Sequence, residues 1–312
     1  MRRILLGPAT ALLLAGCATA PRQVSGNPLF AGADPHAIVI GDEYWIYPTT
    51  AQSHGRMIAY SSTDLLDWRE RGELISLDRI GWIGDDGAPR HHLWAPAIVQ
   101  SGGRWFFYYS VGPQNPTPSR LGVAVADRPE GPFVDSGRPL LTGGNGFEAI
   151  DPMVFVDPKS GDAYLYAGGS DGATLRVFLL KPDMISIDRE VTVDQPPNFT
   201  EGAFMHERDG LYYLSYSHGS WNRGNYSVHY ATAPSPVGPW TYRGVILESD
   251  ATHQGPGHHS FLRDPRTGNW LIVYHRWERP PSNEVFKGQR QIAIEPIRYA
   301  PDGTIEPIRM TD

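Results

Sequence analysis

Three carboxylic acids, Asp34, Asp151 and Glu201, open stretches that otherwise read as buried β-hairpins. Such positions usually hold Val or Thr, so acids there call for a reason. Two carboxyl groups on opposite sides of a sugar are the minimum for hydrolysing a glycosidic bond. One protonates the leaving oxygen, and the other activates water or attacks the anomeric carbon. The acid must stay protonated near neutral pH, which burial and a second carboxylate close by both favour. A third acid then has a role in tuning that pKa.

The elements that must position these residues are copies of one hairpin. Glu201–Ser217 has four relatives, which begin at Asp34, Trp94, Asp151 and His258. Each starts on a polar or aromatic residue, runs through a short apolar strand, turns at a glycine and returns as an aromatic-rich strand. Asp-Gly, Gly-Gly and Thr-Gly-Asn are turn sequences that hairpins favour. Third and fourth strand patterns follow most copies, as in Met57–Trp68, Leu121–Phe133 and Val228–Trp240. Five units of four strands, with almost no helical periodicity, predict an all-β fold, a five-bladed β-propeller over residues 27–312. A β-sandwich would also give many strands, but not such regular copies. The innermost strand of a blade lines the central channel, so Asp34, Trp94, Asp151, Glu201 and His258 are expected to meet at one mouth. Clustered carboxylates repel one another, which marks the cluster as functional rather than stabilising. Asp157-Pro158 and Asp264-Pro265 fall within hairpin turns and read as turn formers.

The composition agrees. Hydrophobic residues make up 40% of the 312-residue chain and aromatic residues 11%, enough for a large core and too many for a disordered chain. The 34 glycines and 28 prolines fit frequent turns. The net charge is −7 without a basic stripe, which argues against a nucleic-acid partner. Residues 1–17 have a basic start, a short apolar run and small residues at the end, the pattern of a secretory signal too short to span a bilayer. Leu14-Ala15-Gly16-Cys17 resembles a bacterial lipobox, so Cys17 is the expected lipidation site and residues 18–26 a tether. With Ala18 after the cysteine, the expected address is the outer membrane, facing the periplasm or the cell surface. Membrane contact is then through the lipid anchor alone. Cys17 is the only cysteine, so disulfides, cysteine-based zinc sites and a thiol nucleophile are excluded. Neighbours on a strand face opposite ways, so neither His91-His92 nor His258-His259 forms a zinc chelate.

Ala33-Asp34-Pro35-His36, Trp94-Ala95-Pro96, Ile150-Asp151-Pro152, Glu201-Gly202 and Gly257-His258 resemble, in order, the signature positions of glycoside hydrolase family 43. The resemblance covers essentially the whole mature chain. It implies Asp34 as general base, Glu201 as general acid and Asp151 as the residue that tunes and orients the acid. It further implies inversion, with base and acid roughly 6.5–9.5 Å apart. Arg290 resembles a late arginine that reaches the site, where its planar guanidinium suits a carboxylate or sugar hydroxyls. Trp94 is expected in the sugar-binding floor and His36 beside the substrate. His258 resembles a histidine directed at a calcium ion whose other ligands are water, although calcium prefers hard oxygen donors. The ion would be structural or electrostatic, and the chemistry itself needs no cofactor. Arg263-Asp264-Pro265 matches a motif of retaining, sucrose-cleaving propellers, but no Asn-Asp-Pro precedes it.

The expected partner is a carbohydrate, an oligosaccharide or polysaccharide side chain. The resemblance implies arabinofuranosides, xylosides or galactans. With no β-sandwich module following the propeller, the expectation is an inverting exo-acting α-L-arabinofuranosidase. The alternatives are a β-D-xylosidase or a β-D-galactofuranosidase. A sugar-binding propeller without catalysis is the alternative of another class, but it has no need of three acids. Four connections, 78–93, 112–120, 218–226 and 276–289, are expected to shape the pocket.

Overall fold

The aromatic-rich second strands are largely apolar because both of their faces are buried. In the second blade Trp105, Phe107 and Tyr109 pack toward the first blade, while Phe106 and Tyr108 pack toward the third. Tyr44 and Ile46 likewise face the fifth blade, and Trp45 and Tyr47 the second. Strand side chains alternate in direction, so a strand in the middle of a blade must be apolar on both sides. The core is therefore a ring of layers between blades rather than one central body.

The computed structural model describes residues 26–51, 55–279 and 285–312. The leader, Cys17 and nearly all of the proposed tether lie outside the described residues. Among the described residues are twenty strands and three short 3-10 turns, so the fold is all-β. Blade one comprises β1 (Phe30–Ile40), β2 (Glu43–Thr50), β3 (Arg56–Ser62) and β4 (Arg69–Ser76). Blade two is β5 (His92–Ser101), β6 (Arg104–Gly112), β7 (Arg120–Ala126) and β8 (Val134–Asp135), with β9 (Leu141–Thr142) also paired to β7. Blade three is β10 (Met153–Val156), β11 (Ala163–Ala167), β12 (Arg176–Leu180) and β13 (Ile187–Val191). Blade four is β14 (Glu201–Arg208), β15 (Leu211–His218), β16 (Ser227–Ala233) and β17 (Thr241–Leu247). Blade five has three strands of its own, β18 (His253–Arg263), β19 (Trp270–Glu278) and β20 (Gln291–Ile297).

The missing strand of blade five comes from the other end of the chain and closes the ring. Phe30 and Ala31, at the start of β1, pair with Ile292 and Gln291 of β20, so blades five and one form one continuous sheet. Asn27 tightens the closure. Its side-chain amide donates to the Ile294 carbonyl and to Glu295 Oε1, each at 3.0 Å. Thr311 also donates to Glu295 Oε1, through its backbone N–H at 2.7 Å. The two turn aspartates tie neighbouring blades: Asp157 accepts from the Tyr212 hydroxyl at 2.7 Å and Asp264 from the Tyr44 hydroxyl at 2.6 Å. Asp264 is thus a structural turn residue, not part of a catalytic triplet.

Candidate active site

The inner strands are kinked at the channel mouth. Asp34, Ala95, Asp151, Gly202 and His258 all adopt left-handed backbone conformations, with φ of 49°, 43°, 54°, 62° and 38°. Four of the five are not glycine, and such conformations cost about 1–3 kcal/mol each. The pairing register slips by one residue at the kinks of blades one, two, four and five. In the first three blades proline follows the kink, where no ladder partner is required for an N–H. The kinks refine the register read from sequence. Asp34, Asp151 and His258 occupy equivalent positions, whereas Trp94 and Glu201 each stand one residue earlier. All five nevertheless line one cavity of about 250 Å3, because the kink turns two consecutive side chains toward the mouth.

Each kink hands its backbone N–H to a side chain of the preceding blade. Asp34 N–H donates to His275 Nδ1 (3.1 Å), Ala95 N–H to Thr49 Oγ1 (2.7 Å), Asp151 N–H to Ser110 Oγ (3.0 Å) and His258 N–H to Ser217 Oγ (2.8 Å). In blade three the corresponding second-strand residue is Gly168, which has no side chain to offer. The Gly202 N–H donates instead to Asp151 Oδ2, at 3.1 Å. The substitution of glycine at one step of a repeating pattern thus couples the third acid directly to the residue after Glu201.

Asp34 is buried and held as an anion. Arg290 Nη1 lies 2.9 Å from its Oδ1, and Thr49 donates to Oδ2 at 2.7 Å. Burial alone would raise its pKa, but Arg290, foremost among its neighbours, outweighs burial and keeps the carboxyl well below its usual range. His275 itself is neutral, its pKa pushed down to about 3 by burial and by Arg290, which lets Nδ1 accept the Asp34 N–H.

Asp151 and Glu201 are displaced the other way. Burial raises Asp151 well above the usual value, and the carboxylates of Glu201 and Asp34 raise it further. Glu201 is raised chiefly by burial and by Asp34, against the stabilising hydroxyl of Tyr226, which donates to Oε1 at 2.8 Å. Ser170 donates to Oε2 through its N–H and its hydroxyl, both at 3.3 Å. One ionised carboxylate and two acids biased toward protonation share the cavity wall, as acid–base catalysis requires.

The remaining expected residues divide. Trp94 lines the cavity, with its indole parallel to His92 at 5.4 Å and laid over Gly112, where a Cβ would fall 2.2 Å from the ring. Arg290 also lines it, 4.8 Å beneath the ring of Trp221, which is 44% exposed and forms the rim. His36 is not among the lining residues. It lies two residues deeper in β1, buried against Phe204, with its pKa pushed down to about 4 chiefly by burial. His258 faces Asp34 and Asp151 through Nδ1 at 3.4 and 3.5 Å. Among the described residues no three His, Cys, Asp or Glu side chains are arranged to hold a metal ion. A calcium ion needs six to eight oxygen ligands, so the side chains around His258 do not form a calcium site of their own. His259 faces Ser215 at 2.7 Å, away from its neighbour. Thr49, Ser170 and His275 were not legible as site residues, since each is an ordinary polar residue brought in by another blade, whereas Gln114 lies in the connection 112–120 expected to shape the pocket. Tyr226 and Trp221 sit in a connection expected to shape the pocket, but only the folded structure places one beneath the acid and the other at the rim.

A five-bladed propeller with one carboxylate held as an anion and two acids biased toward protonation in one small cavity fits a hydrolase of the glycosidase class. The chain belongs to the glycosyl hydrolases family 43, whose description matches residues 25–305. It is 34% identical to a β-D-galactofuranosidase of Aspergillus niger, over 94% of this chain and 87% of that one. It is 27% identical to a β-xylosidase of Xylanibacter ruminicola, over 89% and 96%. Among solved structures, the GH43_1 enzyme from Xanthomonas citri superposes with a TM-score of 0.71 at 28% identity, covering 92% of this chain and 94% of that one. A β-xylosidase/α-arabinofuranosidase from a compost metagenome, solved with xylotriose in a calcium-free form, gives 0.71 at 26% identity, over 92% and 96%. The protein is a glycoside hydrolase whose chemistry needs no cofactor.

Proposed function

We propose that this glycosidase is an inverting, exo-acting furanosidase that removes terminal α-L-arabinofuranosyl or β-D-galactofuranosyl residues. The observation that carries the reading is geometric: Asp34, paired with Arg290 at 2.9 Å, lines the same cavity as Glu201, whose carboxyl meets the Tyr226 hydroxyl and Ser170 instead of a cation. Asp34, ionised, takes a proton from a water that attacks the anomeric carbon. Glu201, protonated, gives its proton to the departing glycosidic oxygen as the C–O bond breaks. Asp151, tied to the Gly202 N–H, fixes the backbone beside the acid and is the candidate for tuning it. The cavity of about 250 Å3 lies below the range typical of drug-sized ligands, about 300–1,000 Å3. It suits one terminal sugar. α-L-Arabinofuranose and β-D-galactofuranose share a ring configuration and differ by one exocyclic carbon, so one cavity can seat either. The galactofuranosidase relative supports the second sugar, and the β-xylosidase/α-arabinofuranosidase from the compost metagenome supports the first.

The test is turnover of aryl α-L-arabinofuranoside, β-D-galactofuranoside and β-D-xyloside by protein beginning at residue 18, beside Glu201→Gln. Hydrolysis of either furanoside, lost in the variant on an oligosaccharide with a poor leaving group, supports the reading and names the sugar. Preference for the xyloside replaces it with a β-xylosidase. Binding without turnover on all three, and on arabinan and xylan, overturns it in favour of a sugar-binding propeller. Export as a lipoprotein anchored at Cys17 belongs to the same proposal. Its support is the leader sequence alone, and Cys17→Ser should release the protein from membranes.

A further inference from the structure

Glu201 is flanked by residues from two other blades, and their arrangement carries a role beyond the three acids. Ser170, in the loop after β11, directs its N–H and hydroxyl at Glu201 Oε2. Gln114, from the connection after β6, donates its side-chain amide N–H to the same hydroxyl oxygen at 2.9 Å. Both residues line the cavity. Both also hold left-handed backbone conformations, with φ of 72° at Gln114 and 53° at Ser170, uncommon for residues that carry a Cβ. Such strain persists only where the surroundings impose it, and it clusters at active sites. The turn is pressed against the acid: a Cβ on Gly169 would fall 2.4 Å from the Glu201 Cβ.

We propose that Gln114 and Ser170 are positioning residues that set how readily Glu201 releases its proton to the leaving group. The inference rests on the reading of Glu201 as general acid. A hydroxyl oxygen that accepts from Gln114 is oriented to donate its own proton. That donation is worth most once Glu201 has given up its proton and become an anion, because hydrogen bonds to charged acceptors are the stronger ones. Gln114 never reaches Glu201; it acts through Ser170, and it links the acid to a blade-two connection at the pocket wall.

The experiment compares Ser170→Gly and Gln114→Leu with the parent on an activated aryl glycoside and an alkyl glycoside of the preferred sugar. Glycine suits the backbone of residue 170 and keeps its N–H, so the first variant removes the hydroxymethyl group and leaves the backbone donor in place. Losing a donor to the carboxylate makes Glu201 a weaker acid. The alkaline limb of kcat/KM is therefore expected to move up by about one pH unit, and kcat on the alkyl glycoside to fall by up to about tenfold. On the aryl glycoside, whose leaving group needs little protonation, the loss should be no more than about twofold. An unmoved alkaline limb with equal losses on both substrates overturns the proposal. If Ser170→Gly also lowers the melting temperature, Gln114→Leu carries the same expectation by itself. Full activity of Glu201→Gln on the alkyl glycoside would instead overturn the general-acid reading, so the two failures are distinguishable.

Discussion

Arg290 Nη1 sits 2.9 Å from Asp34 Oδ1, and this pair separates the roles of the three acids. Without a fixed cation on one of them, burial would raise all three together. Arg290→Ala should therefore raise the pKa of Asp34 by about 1–3 units, the shift an adjacent arginine typically imposes. The base works only when ionised, so the acidic limb of kcat/KM should move to higher pH. Activity should be lost most severely in acid and partly regained toward neutral pH. A uniform loss at every pH would mean that Arg290 acts by binding sugar alone.

Gly112 makes the seat for Trp94. A Cβ there would lie 2.2 Å from the indole, too close for a rigid ring to accept in place. Gly112→Ala should tilt the indole off the cavity floor and raise KM about tenfold, with a smaller change in kcat. Steady-state kinetics on the preferred aryl glycoside decide this, and an unchanged KM would remove Trp94 from the binding floor.

Thr49 serves two blades with one hydroxyl. It donates to Asp34 Oδ2 and accepts the Ala95 N–H, both at 2.7 Å. Thr49→Val keeps the shape and strands a buried N–H, which costs about 1–3 kcal/mol. The expected outcome is a melting temperature several degrees lower and a loss of activity, since the base loses a partner that orients it. Thr49→Ser, which keeps the hydroxyl, should recover most of both.

Buried histidines set the acid stability. Burial pushes His36 down to about 4, and His206 and His275 down to about 3. Unfolded histidine binds its proton near pH 6.5, so below that pH the unfolded state takes up protons that the folded state refuses. Stability should fall as the pH drops from about 6.5 toward 4. Each histidine contributes up to about 3 kcal/mol. Asp151 and Glu201 work in the opposite sense, because their raised pKa values let the folded state bind protons first. Melting temperatures between pH 4 and 7 test this, and His36→Gln or His36→Phe should flatten the slope. A melting temperature independent of pH over that range would refute it.

The sequence by itself determined the architecture and the principal acids. Period-two alternation, glycine turns and doubly buried aromatic strands are local properties, and their repetition fixes where Asp34, Asp151 and Glu201 stand in the chain. What it could not show is which residues those acids meet. The left-handed kinks shift Trp94 and Glu201 by one position against Asp34, Asp151 and His258, and a one-residue slip redirects a side chain entirely. His36 matched the pattern as well as its neighbours did, yet it is drawn below the cavity and packed on Phe204. The hydrogen-bond ring of His275, Thr49, Ser110, Asp151 and Ser217 joins each blade to the next across separations of 41 to 241 residues, with only the glycine at 168 breaking the pattern. Such contacts leave no trace in local spacing. They exist because closing five blades around one axis brings distant strand ends together, and the electrostatic division of labour among the three acids is decided only there.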